Sequence, residues 1–183
     1  MKTMKKVKMF LIGTTMALVF LMALPDCSSA QNARLTDPEI ASVAVTANQI
    51  DINYASIAKE KSKNQEVLRF AETMANDHKA VIAQAVALVT KLNVTPKDNA
   101  VSQKLLADAE KTKKKLIAKS GKAFDKAYID NEVAYHKAVI AAVEGLLIPA
   151  SENAELKELL QKVVPALKTH LAHAEMVQQN FGK

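Results

Sequence analysis

The sequence predicts an all-α fold: a bundle of four long helices, with a fifth helix in the crossover between the second and third. Three observations carry this. Apolar residues recur at three-and-four spacing over four separate stretches. Glycine and proline are scarce, four and five in 183 residues, so little interrupts a helix. The hexapeptide His78-Lys79-Ala80-Val81-Ile82-Ala83 returns intact 58 residues later as His136-Lys137-Ala138-Val139-Ile140-Ala141. Phe70 and Tyr128 precede the two copies at matching offsets, and Leu88 and Leu146 follow them. Both copies read as helices with histidine on the apolar stripe, and the two helices are expected to face each other with any chemistry between them.

Residues 1–30 read as an export signal. Lys2, Lys5, Lys6 and Lys8 form a basic start, Met9 to Leu24 carries no charge, and Ser28-Ser29-Ala30 offers small residues for cleavage before Gln31. A short linker, 31–37, would then lead to a bundle domain spanning 38–183, a length sufficient for one domain with one core. Leu24-Pro25-Asp26-Cys27 also resembles a lipoprotein box, although Asp26 stands where a small residue is preferred. Two routes are therefore open: release into the periplasm, or lipidation at Cys27 with anchoring to the outer membrane. Membrane attachment is expected only through that lipid.

Cleavage before Gln31 would leave no cysteine, excluding disulfides, thiolate nucleophiles and thiolate metal sites. The leader also holds four of the 25 basic residues and one of the 19 acidic ones, so the net charge falls from +6 to +3 without it. Most of the support for a nucleic-acid partner leaves with it.

The first core helix starts at Asp37-Pro38-Glu39, a cap followed by proline and an early acid, and runs to about Lys61. Asp51 falls on or beside its stripe, where a single acid is ordinarily part-solvated. Asn64 caps the second helix, whose seam is Val67, Ala71, Met74, His78, Val81, Ala85, Leu88 and Leu92; Asp77 is turned about 100° from it, toward solvent or a neighbouring helix edge. Asp98 to Ser120 is a charged crossover helix whose lysines alternate with Asp108 and Glu110 and read as a solvated face. The third core helix, about Lys122 to Ile148, has the seam Asp125, Ile129, Glu132, His136, Val139, Val143 and Leu146. Glu132 and His136, four apart, share a face flanked by Tyr128 and Tyr135. Pro149-Ala150-Ser151 makes a turn, with Ser151 capping the last helix. Its seam is Leu156, Leu160, Val163, Leu167, His170, Ala174 and Val177, with Pro165 mid-helix.

Short loops make the first two core helices antiparallel, and likewise the last two. The long crossover makes the second and third parallel, so His78 and His136 should stand at one height. Counting at 1.5 Å per residue from the turns places Asp51 within about 5 Å of the His78 level but His170 about 9 Å from that of His136.

The spaced residues Phe70-Ala71, Met74, Asp77-His78, Gly121, Phe124-Asp125, Tyr128, His136, Pro165-Ala166-Leu167, His170-Leu171 and Ala174 resemble the exported bacterial family called domain of unknown function 4142. The resemblance covers about Pro38 to Gln178. It implies a ferritin-like four-helix bundle and an envelope location, in a family often labelled predicted outer-membrane proteins, and supplies no activity. Ferritin-like di-iron centres use Glu-x-x-His on two helices. Here Ala75, Val133 and Leu167 stand three before the histidines, so a di-iron centre is not expected.

The function expected from the sequence is a non-catalytic binding or structural module of the envelope, of a stress-associated kind, with a histidine and carboxylate core hydrogen-bonded to Asp125, Tyr128 and Tyr135. The alternative is a mononuclear site for a divalent transition metal on His78 and His136 with Glu132 or Asp51, and with His170 as a further candidate. The expected partner is accordingly an envelope protein or a metal ion. Enzymatic readings have little support. There is no nucleophile elbow and no phosphate-cradling glycine loop, and Asp125 and Glu132 lie about 10 Å apart along their helix.

Overall fold

The computed structural model describes residues 34–181, and among these every regular element is a helix. The leader, Cys27 and the cleavage sites lie outside the described residues. Helix α1 spans Asp37–Lys61, α2 Gln65–Lys91, α3 Ala100–Ile117 and α4 Gly121–Ala142. A π-helical turn, Val143–Leu147, carries α4 into the short α5, Ile148–Ala150, and α6 spans Ala154–Asn180.

Capping residues set the boundaries. Thr36, rather than Asp37, precedes the first turn of α1, and its N–H and hydroxyl both donate to the Glu39 carboxylate. Asp37 instead accepts from the backbone N–H groups of Glu152 and Asn153, tying the start of α1 to the entry of α6. Asn64, Asn99 and Asn153 cap α2, α3 and α6 through their side-chain oxygens. The cap of α6 is thus Asn153 and not Ser151, which is buried and bonded to Asp37.

The contacts between element ends give the topology. Lys97 and Asn99 bond to Pro38 and Glu39, so α3 begins beside the start of α1. Lys61 reaches the Ile117 carbonyl, so α3 runs parallel to α1 to its far end. Helix α4 then descends antiparallel to α1 and parallel to α2, and α6 rises to place Asn180 against Glu66. This is a ferritin-like four-helix bundle with a long crossover, in which α3 lies outside the bundle against α1 and α4. Helices α1 and α2 form one tightly packed pair, α4 and α6 the other, and α2 and α4 occupy diagonal corners. The two repeat helices therefore face each other across the bundle axis rather than as packed neighbours.

The core has two layers. At the end nearest the start of α2, Val67, Phe70, Met74, Phe124, Tyr128 and Ile129 are fully buried, with Phe70 edge-on to Tyr128. Each such side chain contributes on the order of 2 kcal/mol from burial alone. The other layer gathers Ile40, Val43, Ile140, Val143, Leu147, Leu156, Leu160 and Leu167. The histidine level lies between them.

The π-helical turn alters the register expected for the second repeat. The Ile148 N–H reaches back to the Val143 carbonyl, five residues away. Pro149 has no N–H for the Gly145 carbonyl, and the wider turn relieves the clash its ring would make there. The extra residue rotates the seam, so that Leu147 is buried and Leu146 is 40 % exposed. It also carries helical backbone through Pro149 to Ala150, past the turn expected there.

Candidate metal centre

Three histidines from three helices meet between the two layers. The ring centroids lie 5.7 Å apart for His78 and His136, 5.3 Å for His78 and His170, and 5.5 Å for His136 and His170. His170 therefore stands at the same level as the other two, and the 9 Å offset expected by counting is corrected. From His136 to the end of α5 is 14 residues, and from the start of α6 to His170 is 16, so the turn falls almost midway between them.

Each histidine is held by one ring nitrogen. His78 Nδ1 lies 2.7 Å from Asn48 Oδ1, and the Asn48 amide is oriented by its own donation to the Ala44 carbonyl. His78 Nδ1–H is therefore the donor. His136 Nδ1–H donates to the Glu132 carbonyl at 3.0 Å, and His170 Nε2–H to Asp77 Oδ2 at 2.9 Å. These bonds leave lone pairs on His78 Nε2, His136 Nε2 and His170 Nδ1, and all three atoms are buried with no hydrogen-bond partner. Asp77, 54 % exposed by its side chain, does face solvent as expected, yet it also orients His170.

Two carboxylates complete the cluster. Asp51, expected to be part-solvated, and Glu132 are wholly buried, and their four oxygens have no hydrogen-bond donor. Asp51 Oδ2 lies 3.3 Å from His78 Nε2 and 3.6 Å from His136 Nε2; Glu132 Oε2 is 3.6 Å from His136 Nδ1. Among the described residues only these imidazoles come within ion-pair distance of the two carboxylates. Burial pushes the Asp51 carboxyl up to about 7. Burial, with the charge of Asp51, holds Glu132 well above the usual carboxylate range. Burial chiefly, then the neighbouring rings, lowers His78 to about 3; burial, opposed by the hydrogen bond to the Glu132 carbonyl and aided by His170, lowers His136 to about 4. Both imidazoles are therefore neutral at physiological pH.

The arrangement is acceptor against acceptor. Two imidazole lone pairs converge on a carboxylate oxygen with nothing positive between them, a combination that only a proton or a cation makes favourable. One nitrogen from each of the three histidines lies within 4.8 Å of the others, and His136, Asp51 and Glu132 form a second group at the same spacing. A point equidistant from three atoms so spaced is at most about 2.8 Å from each, so a contraction of no more than about 0.7 Å would give metal–imidazole bond lengths. The outer hydrogen bonds to Asn48, the Glu132 carbonyl and Asp77 are those that fix imidazole tautomers around a metal. The donor set of neutral imidazoles and carboxylate, without thiolate, fits a borderline divalent transition ion.

The hydrogen-bonded core expected from the tyrosines is not formed. Tyr135 donates to the Ala47 carbonyl at 2.9 Å, away from the histidines, and the buried Tyr128 hydroxyl has no partner. Asp125 is buried nearer the start of α4, also with an unpartnered oxygen, and is outside the cluster. Asn48 and Asp77 were not expected as partners. Asn48 lies three residues before Asp51, on the same helix face, a spacing that marks it.

No curated protein is significantly similar to the chain in sequence. Two solved structures share its fold. A DUF305 protein from Streptomyces coelicolor aligns over 79 % of this chain and 92 % of its own, with a TM-score of 0.67 at 13 % identity. CopM in its Cu(II)-bound form aligns over 81 % of this chain and 99 % of its own, with a TM-score of 0.62 at 15 % identity. The sequence model of the domain of unknown function DUF4142 matches residues 22–177, and the chain belongs to that family.

Proposed function

We propose that this protein is an exported, non-catalytic metal-binding protein that holds one divalent transition-metal ion, copper(II) or zinc(II), between α2, α4 and α6. His78, His136 and His170 supply nitrogen, Asp51 supplies the fourth donor, and Glu132 stands behind His136 as a further carboxylate. The observation that carries the reading is the meeting of unpartnered acceptors: lone pairs on three imidazoles gathered at one level, with a buried Asp51 oxygen against two of them. A purely structural polar network would have those atoms bonded to one another or to Tyr128 and Tyr135. The related fold of CopM is described with Cu(II) bound. Imidazole ligands suit both ions, and the affinity order of divalent metals places copper(II) above zinc(II).

Elemental analysis of purified, metal-equilibrated protein tests this. One ion per chain is expected, falling to background in the His78→Ala/His136→Ala double variant. Absence of stoichiometric uptake by the wild-type chain would sink the reading.

Export rests on the leader, with four lysines before the uncharged run Met9 to Leu24. The periplasm is the compartment we assign, with residues 31–37 as a linker and 38–183 as the bundle. The mass of the mature chain decides how it is processed. Release predicts Gln31 at the N-terminus, and an acylated Cys27 would place the protein on a lipid anchor instead.

A further inference from the structure

The seam of α2 changes character at His78. Before it, Val67, Phe70, Ala71 and Met74 are completely buried. After it, Val81 and Leu88 are only half-buried although they continue the same apolar stripe. They are half-buried because they border a partly open cavity of about 550 Å³ that reaches from the histidines toward the far end of the bundle. Its walls are mostly alanine, valine and leucine from α1, α2, α4 and α6, with Val101, Leu105 and Ala109 of α3 beside them. His78, His136, His170 and Asp51 line it at the histidine level, and Glu132 does not.

An apolar opening this large is unusual in a helix bundle, whose interiors leave few spaces larger than a water molecule. Left empty it would cost the lining residues their packing contacts. Water filling it would wet an almost wholly apolar lining, an unfavourable contact that an apolar chain would relieve. Its long dimension follows α2 for the ten residues from His78 to Leu88, on the order of 15 Å. A partly open apolar space of this length, with metal-liganding groups at one end, suits a single hydrocarbon chain with a polar head.

We propose that the cavity binds a single-chain amphiphile with a carboxylate head, of the fatty-acid class, its chain lying along Val81, Ala85 and Leu88 and its head on the metal held by the three histidines. This rests on the metal-binding reading. Without a cation the histidine end presents lone pairs and acidic groups, which repel a carboxylate; a divalent ion there reverses the sign and takes the head group as a fifth donor from the cavity side. The metal thus makes the head site, and the wall of α2 makes the chain site.

The test uses the full mature chain loaded with zinc(II), its metal content measured first. Dodecanoate is titrated by displacement of a fluorescent fatty acid. Micromolar binding is expected for the loaded protein, weakened at least about tenfold in the metal-free protein and in Leu88→Trp, which fills the chain site. Leu88→Trp should retain one zinc per chain, and that retention reports that the bundle is folded. Ala85→Leu, which adds less bulk at the middle of the wall, should weaken dodecanoate in the same way if the tryptophan variant fails to fold. Zinc uptake without dodecanoate binding would overturn the proposal and leave the metal reading standing. Equal affinity with and without zinc would overturn the placement of the head. Affinity unchanged in both filled variants would overturn the placement of the chain. Failure to take up zinc would remove the metal reading itself, and is read from the metal content alone.

Discussion

Zinc(II) or copper(II) added to the metal-free protein is expected to raise its melting temperature by roughly 5 to 10 °C once free metal exceeds its Kd by about a hundredfold. The size follows from linkage, because an ion that binds only the folded state at that excess adds about 2.7 kcal/mol, and a domain of this length shifts by about 2–4 °C per kcal/mol. Selectivity for the folded state is built into the ligand set, whose histidines come from three different helices and are brought together only by the bundle. The His78→Ala/His136→Ala variant should lose the shift. Asn48→Ala and Asp77→Ala should keep a shift but need about 10- to 100-fold more metal to reach it, since each releases a ring that its hydrogen bond now orients. The measurement is a thermal melt followed by circular dichroism across a metal titration. A wild-type melting temperature indifferent to metal, with the double variant merely less stable, would mean the histidines serve packing alone.

Much of this arrangement can be read from the residues, and what cannot has identifiable causes. The hexapeptide repeat places His78 and His136 on two helices, and the loop lengths make those helices parallel, which sets the rings at one height. The level of His170 escapes such counting because, through the π-helical turn at Val143–Leu147, helical backbone continues to Ala150 and α6 starts only at Ala154. One extra residue in a turn shifts both the rotation and the rise of everything beyond it, and only the spacing of Gly145 and Pro149 hints at it. Asp51 reads as an ordinary part-solvated acid because helical periodicity fixes a face but not how deeply the neighbouring helices cover it. Its burial arises where α1 meets both α2 and α4. The cavity is invisible to periodicity for a related reason: Val81 and Leu88 are apolar whether they pack against a neighbour or line a space.

Asp51→Asn is expected to stabilise the metal-free protein at neutral pH while abolishing tight metal binding, a pairing that a structural role for Asp51 would not produce. Asp51 has a folded-state pKa raised from its ordinary 3.8 to about 7 by burial. Its contribution is fully present below about pH 4 and is lost as pH rises through about 7, because the folded state prefers the protonated form and holds the extra proton in that window. Glu132, raised by burial and by the charge of Asp51, has the same sign. His78 and His136, lowered to about 3 and about 4, act oppositely. They favour the folded state above about 6.5 and withdraw that favour as pH falls toward their folded values. The two effects largely offset each other between about pH 4 and 6.5, and above that range only the carboxylates still lose their protons, so metal-free wild-type protein should lose stability from about pH 6.5 upward. Asparagine removes the ionisation, and its amide N–H can donate to the His78 and His136 lone pairs now facing Asp51 Oδ2 at 3.3 and 3.6 Å. The gain over wild type should be on the order of 2 kcal/mol at pH 7.5 and shrink toward zero near pH 4. Urea melts of both proteins at the two pH values, in chelator, measure it. A variant less stable than wild type at pH 7.5 would mean that the Asp51 carboxylate is satisfied without a cation, and that the acceptors converging on it do not await one.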